Sequence, residues 1–386
     1  MKKALIFCNH RVPVAEPNAI RLINIGLMLK ELGYDVTLFG AYSAKDVTGS
    51  YKGINYVEWG QTVGHGIKQH NLRKKEYLIN IKKAVVGCDS SDIIISALGE
   101  NANRAHIYLR KTARDRGAVF IQSIVEWYVL ANFGGWKRAH RYFHNEYLMR
   151  HGNQKSKNII GISTLLCDYY KAKGCNSVYI PTMVDMEEYK GISHAKNDRI
   201  VIAYAGSPRR KDCIANAILA LLRLDDSERA KFVFNIYGAG ENDLIQVGIS
   251  REMIKELGDS LCIHGRIPYE EVKQHVANAD FTVLLRRNTI NANAGFSTKV
   301  GESMACGTPV IANITGDLAQ YIIDGKTGVI CSDESVEACV TAYRRILTLS
   351  DEEIEHMREK CVETAGISFN YRTYINALQA FIGGAK

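Results

Sequence analysis

No stretch of the 386 residues approaches the roughly 18 consecutive apolar residues of a membrane span. The apolar run after the basic start, Ala4 to Cys8, is too short for the core of a signal peptide, so a cytosolic chain is expected. The ten cysteines form no CxxC pair and several sit inside apolar runs, so they read as reduced core residues. Short-period repeats and low-complexity tracts are also missing. With 23% charged and 46% hydrophobic residues, the composition sets aside disorder, collagen and coiled coil. The length predicts two domains or one large one, each able to bury its own core.

Charge is unevenly placed along the chain. The first 190 residues hold 27 Lys and Arg against 16 Asp and Glu, a balance of +11, whereas the remainder holds 22 against 25, or −3. Nucleic acid, an anionic membrane surface, a phosphorylated acceptor and a merely solvated basic face each account for such a half.

Apolar runs alternate with helical periodicity from the start. Ala4 to Cys8 reads as a strand, Asn18 to Leu32 as a helix ended by Gly33, and Asp35 to Gly40 as the next strand, which makes a parallel βαβ unit. The alternation continues with helices near 71–86 and 103–116 and strands at 92–96, 118–125, 159–163 and 178–181. Residues 186–198 lose apolar periodicity and gain charge, as an interdomain linker would. The pattern restarts with strands at 199–205, 231–237, 260–264, 279–285 and 308–312 and a helix near 213–224. Two doubly wound α/β domains in tandem are expected, residues 1–185 and 199–367, with a last helix at 368–386 packing back on the first.

In open α/β sheets ligands bind beyond the carboxyl ends of the strands. The first such turn of the second domain is Gly206-Ser-Pro-Arg209-Arg210-Lys211-Asp212, where backbone N–H groups and three consecutive cations can hold a diphosphate; a solvated basic turn is the alternative. The segment Ala294-Gly295-Phe296-Ser297-Thr298-Lys299-Val-Gly-Glu302 continues to Cys306-Gly307-Thr-Pro309. It reads as a short helix capped by Ser297 and ended by Gly307, with Pro309 opening the next strand. Lys299 and Glu302 stand three apart, so a surface ion pair is the bland alternative there.

These two segments, together with Val178-Tyr-Ile-Pro-Thr-Met-Val-Asp185, His264-Gly-Arg266-Ile-Pro268 and Ala277-Asn-Ala-Asp280, resemble in that order the family 4 glycosyltransferases of the GT-B fold. The resemblance implies two Rossmann-like domains facing across a cleft, with a nucleotide-sugar donor held mainly by the second. It implies that Arg209 or Arg210 with Lys211 binds the diphosphate, that Glu302 hydrogen-bonds the ribose, and that Gly295, Phe296, Ser297 and Thr298 lie against phosphate or sugar, with Gly206, Arg266 and Lys299 in the same site. The sequence departs from the family's usual paired glutamates, because Ala294 stands eight residues before Glu302.

In the first domain the residues after strands are His10 and Arg11, Glu100 and Asn101, and Glu126 with Trp127. These are the acceptor-side candidates. Glu126 can orient or deprotonate an acceptor hydroxyl or stabilise a cationic sugar transition state, and equally can anchor the helix that follows. His140 and His144 lack a third ligand for zinc, and Tyr237-Gly-Ala-Gly-Glu241 lacks the third glycine of a dinucleotide fingerprint. The mixed basic and apolar stretches 65–75 and 136–143 suit a membrane surface or a solvated helix face.

The resemblance implies a retaining hexosyltransferase that uses a UDP- or GDP-sugar without cofactor or metal. The implied acceptor is a glycan or lipid-linked hydroxyl, with peripheral contact at the inner membrane face and no nucleic acid partner. An epimerase on the same fold or a non-catalytic sugar-nucleotide-binding subunit are the alternatives.

Overall fold

A computed structural model of the chain describes residues 2–13, 16–43, 45–60, 67–98, 103–133, 139–208 and 211–385. It divides into two compact units, Met1–Met183 with Tyr371–Lys386, and Val184–Asn370.

The first unit is built on strands β1 (Lys3–Cys8), β2 (Asp35–Ser43), β3 (Val47–Tyr51), β4 (Ile54–Gly60), β5 (Ile93–Ala97), β6 (Val119–Ile124), β7 (Asn158–Gly161) and β8 (Asn176–Tyr179). Among the described residues they run in the order β3-β4-β2-β1-β5-β6-β7-β8. Every pairing is parallel except β3 with β4. β1 lies between β2 and β5, so the chain leaves it in both directions and opens a crevice at its carboxyl end. The Pro17–Glu31 helix starts with proline at its first position and is apolar nearly all round. It is accordingly buried, with Ala19, Leu22, Ile25, Met28 and Leu29 in one core with Ile6, Ile95 and Ile121. Leu378 and Phe381, from the Ile375–Gly383 helix, belong to the same core.

The second unit carries β9 (Ile200–Ala205), β10 (Phe232–Tyr237), β11 (Leu261–Gly265), β12 (Phe281–Leu284), β13 (Val310–Asn313) and β14 (Gly328–Cys331). Among the described residues they form an all-parallel sheet in the order β11-β10-β9-β12-β13-β14. This is the doubly wound order with its switch point between β9 and β12. Its strands are near-continuous apolar runs because both faces are covered. Residues 186–198, expected as a linker, are tied to this unit. Tyr189 is buried beneath the Lys273 ammonium, Glu188 pairs with Lys273, His194 Nδ1 lies 2.8 Å from the Ala277 carbonyl, and Asn197 donates to the Asn278 carbonyl. Their polarity serves these contacts with the Tyr269–Ala277 helix.

All ten cysteines are free thiols, and eight are buried. No described helix is long and apolar enough to cross a membrane.

Candidate functional site

In the second unit three neighbouring strands end in glycine: β9 at Gly206, β10 at Gly238 and β11 at Gly265. All three have positive φ, 142°, 90° and 70°. They are drawn together, since the Gly206 amide donates to the Tyr237 carbonyl (2.8 Å) and the Gly238 amide to the Gly265 carbonyl (2.6 Å). A Cβ on Gly238 would stand 3.1 Å from the Gly206 backbone, and one on Gly206 would stand 2.9 Å from Lys299 Cε. The strand ends thus expose backbone where side chains would otherwise stand.

Beside them lies a charge cluster. Asp212, closing the basic turn, is buried with its carboxylate between two cations. Arg286 Nε donates to Oδ1 and Lys299 Nζ to Oδ2, each at 2.9 Å, and the Tyr204 hydroxyl adds a third hydrogen bond at 3.1 Å. Burial alone would raise the Asp212 pKa, but Lys299 and Arg286 outweigh it and hold the carboxyl well below the usual carboxylate range. Lys299 also lies over the Tyr204 ring at 5.0 Å. Arg286 is fixed from β13, its amide donating to Asn313 Oδ1 (2.8 Å) and its carbonyl accepting from Asn313 Nδ2 (2.7 Å).

Lys299 opens the Thr298–Ala305 helix, which ends at Cys306 with Gly307 in the left-handed conformation at φ 68°. Ser297 occupies the cap position, but its hydroxyl makes no capping bond, so the expected cap is replaced by a buried serine. Glu302, one turn on, is half-buried. With Lys299, Ser303, Tyr204 and Lys273 it lines a narrow cavity of about 30 Å³. Lys211 is half-buried next to Asp212, and Arg266 is exposed after β11. Gly295 is the C-cap of the short Ile290–Ala294 helix. The Phe296 ring is buried in contact with Tyr321 and Phe369, so only its backbone can meet a ligand. Arg209 and Arg210 lie outside the described residues.

The structure therefore gathers Gly206, Lys211, Lys299 and Glu302 at one edge of the sheet. Asp212, Arg286 and Asn313 were missed by sequence reasoning. Arg286 and Asn313 stand at the ends of two apolar runs, so inspecting every strand end would have found them.

In the first unit, a pocket of about 1210 Å³, open space included, lies at the carboxyl ends of β1, β5 and β6. His10 and Glu126 both line it, with Arg141 and His106. His10 Nδ1 is 2.7 Å from Glu16 Oε2. His106 is buried, with Nδ1 2.9 Å from Ser96 Oγ, and burial together with the Arg110 charge pushes its pKa down to about 4, so it is neutral at pH 7. Trp127, an acceptor-side candidate, does not line the pocket: it is buried edge-on to Tyr169 and donates to Glu146 Oε1 at 2.6 Å. Arg11 is exposed and also outside the lining. Glu100 and Asn101 lie outside the described residues. His140 and His144 are exposed, and among the described residues no group of three or more His, Cys, Asp or Glu is placed to hold a metal ion.

Residues 185–365, which carry the glycine strand ends and the Asp212 cluster, match the family described as glycosyl transferases group 1. The match covers a little under half of the chain. The group 1 domain and its partner unit together have the GT-B fold. Sucrose-phosphate synthase from Thermosynechococcus elongatus superposes with a TM-score of 0.76 at 16% identity, with 98% of each chain covered. Anabaena HepE in complex with UDP gives 0.68 at 12% identity, with 99% of each chain covered.

Curated relatives are similar over shorter stretches. A GDP-mannose-dependent alpha-(1-6)-phosphatidylinositol monomannoside mannosyltransferase of Mycolicibacterium smegmatis is 35% identical over 83 residues, 21% of this chain and 22% of that one. A D-inositol 3-phosphate glycosyltransferase of Nocardiopsis dassonvillei is 25% identical over 216 residues, 52% and 49% of the two chains. The chain thus spans about half or less of the length of these relatives.

Proposed function

We propose that the chain is a glycosyltransferase that moves a sugar from a nucleoside diphosphate sugar to a hydroxyl acceptor. The observation that carries this reading is the convergence of three glycine strand ends with Lys299 and Asp212 on one edge of the group 1 domain. A diphosphate meets exposed backbone there, beside Lys211 and Lys299, and these cations stabilise the charge that develops as the sugar C1–O bond to phosphate breaks. Asp212 holds Lys299 in place, and Arg286 keeps Asp212 itself paired. Glu302, half-buried one turn along the helix from Lys299, suits two vicinal ribose hydroxyls, to which a carboxylate makes charge-assisted hydrogen bonds.

The acceptor is placed in the pocket of the first unit, where Glu126 orients its hydroxyl or takes the proton that leaves as the new C1–O bond forms. Retention of configuration and independence of metal are part of this proposal, as is a UDP- or GDP-sugar donor. These two donor classes are supported by the GDP-mannose-dependent mannosyltransferase relative and by the HepE complex with UDP. A glycan or lipid-linked acceptor at the inner membrane face is supported by the Ile67–Ala84 helix, whose exposed side carries Leu72, Ile79, Lys74, Lys75, Lys82 and Lys83.

Thermal-shift screening with UDP, GDP and ADP and their sugars tests the donor assignment. A ligand at 100 times its Kd adds about 2.7 kcal/mol of stability. At least one of the UDP or GDP compounds should raise the unfolding temperature, and no shift with any nucleotide in folded protein would refute the assignment.

A further inference from the structure

The first unit's pocket is rich in carboxamides, and three of them are already engaged with protein partners. Asn153 donates to the Tyr170 hydroxyl (3.0 Å) and accepts from Gln122 (2.8 Å), whose own oxygen accepts from Ser156 (2.7 Å). Asn132 Oδ1 accepts from the Val129 amide at 2.7 Å.

Two lining residues differ. Asn145 Nδ2, in a residue 6% exposed, and Asn18 Oδ1 are buried atoms with no hydrogen-bond partner among the described residues. They come from separate elements, the end of the Ala139–Tyr147 helix and the start of the Pro17–Glu31 helix. One is a donor and the other an acceptor. A buried polar atom left unmatched costs about 1–3 kcal/mol, and native proteins rarely tolerate it. Such a pair on one pocket marks where a ligand supplies the complement, and a hydroxyl both donates and accepts.

Among the described residues, the charges bordering the same space do not form an anion cradle. Glu126 and Arg141 line it as one carboxylate and one guanidinium. His10 is paired with Glu16. The fully buried Arg21 directs its two terminal nitrogens to Ser123 Oγ (2.7 Å) and the Ile180 carbonyl (2.8 Å). Among the described lining residues a phosphate would meet one arginine and one carboxylate, short of the clustered cations such groups require.

Resting on the acceptor-pocket reading above, we propose that Asn18 and Asn145 select a neutral, hydroxyl-bearing carbohydrate as acceptor. Asn18 Oδ1 takes a hydrogen bond from one of its hydroxyls and Asn145 Nδ2 donates to one, each amide turning toward the ligand as it enters.

The test titrates the full chain with methyl α-mannopyranoside and methyl α-glucopyranoside, and in parallel with glucose 6-phosphate and inositol phosphate, followed by saturation-transfer NMR. At least one neutral glycoside should bind, and the sugar phosphates should bind no tighter. Asn18→Ala and Asn145→Leu should each weaken that binding at least fivefold, while UDP and GDP affinity, which reports the donor site separately, stays unchanged. Asn145→Leu should also raise the unfolding temperature, since it replaces an orphaned donor with an apolar group of similar shape, whereas a structural amide would lower it. Asn18→Ala, at a half-exposed position, reports independently if Asn145→Leu does not fold. No binding of any neutral glycoside, unchanged binding by Asn18→Ala, or sugar phosphates binding more than tenfold tighter each overturns the proposal.

Discussion

Replacing Asp212 by Asn removes the charge that holds Arg286 and Lys299 while keeping the side chain's volume. Breaking a buried pair from one side costs about 3–5 kcal/mol, because the remaining charge is left unpaired in low dielectric. The two partners are not equivalent. Lys299 is 26% exposed and can rehydrate, whereas Arg286 is 9% exposed and cannot, so the lower end, about 3 kcal/mol, is expected. For a unit of this size that lowers the midpoint by about 6–12 °C. The pH dependence follows from the depressed carboxyl pKa of Asp212. The stability it contributes is present above its unfolded pKa of about 3.9 and is lost as pH falls toward the lower folded value, so the wild-type and Asp212→Asn curves should converge in acid. Denaturant unfolding of both proteins from pH 8 to pH 2.5 provides the measurement. A difference below about 1 kcal/mol at pH 7, or a gap that stays constant into acid, would refute the reasoning.

Gly238→Ala forces a Cβ to 3.1 Å from the Gly206 backbone at a φ of 90°. It should cost about 1–3 kcal/mol and weaken nucleotide binding, read by unfolding and titration calorimetry. Lys211→Ala and Glu302→Ala should each lower donor affinity or turnover roughly 10- to 100-fold, whereas Glu126→Gln should impair transfer to acceptor more than nucleotide binding, as steady-state kinetics and direct titration together will show. His106 titrates at about 4 in the folded protein against about 6.5 unfolded, so the fold loses up to about 3 kcal/mol as pH falls through that window; His106→Gln should flatten this limb in pH-dependent denaturant unfolding. Sedimentation with vesicles should show binding to anionic but not neutral lipid, falling with salt, and substituting Lys74, Lys75, Lys82 and Lys83 by Glu should abolish it, since each lysine contributes about 1 kcal/mol.

The alternation of strands and helices is written in local periodicity, and the Asn103–Arg116 helix begins and ends where the spacing places it. The exceptions carry little local signal. β3 is exposed along most of its length and shows no apolar alternation, β14 is only four residues long, and β4, Ile54–Gly60, is also missed although Ile54 and Trp59 are buried. In the candidate donor site Gly206 and Lys211 are visible because they share one turn, whereas Gly238 and Gly265 are brought beside Gly206 only by the sheet. Asp212 is not visible, because its partners stand 74 and 87 positions downstream. The same distance misleads in the other direction: the three-residue spacing of Lys299 and Glu302 suggests a helix-surface pair, yet the lysine is held by Asp212 from another strand end. Neither Asn18 nor Asn145 is marked as a ligand residue by its neighbours in sequence. Their interest arises only from what surrounds them after folding.

The last sixteen residues, Tyr371–Lys386, belong with the first unit although the whole of Val184–Asn370 intervenes. During synthesis the second unit is complete on the ribosome while the first still lacks Tyr371, Leu378 and Phe381 from its core. Each of these large apolar side chains contributes about 1.5–3 kcal/mol on burial. The half that begins first is therefore finished last, and until the final helix emerges its Pro17–Glu31 face stays uncovered and open to premature association. Loss of Tyr371–Phe381 would thus spare the second unit, whose residues are all in Val184–Asn370, and strike the opposite end of the sequence.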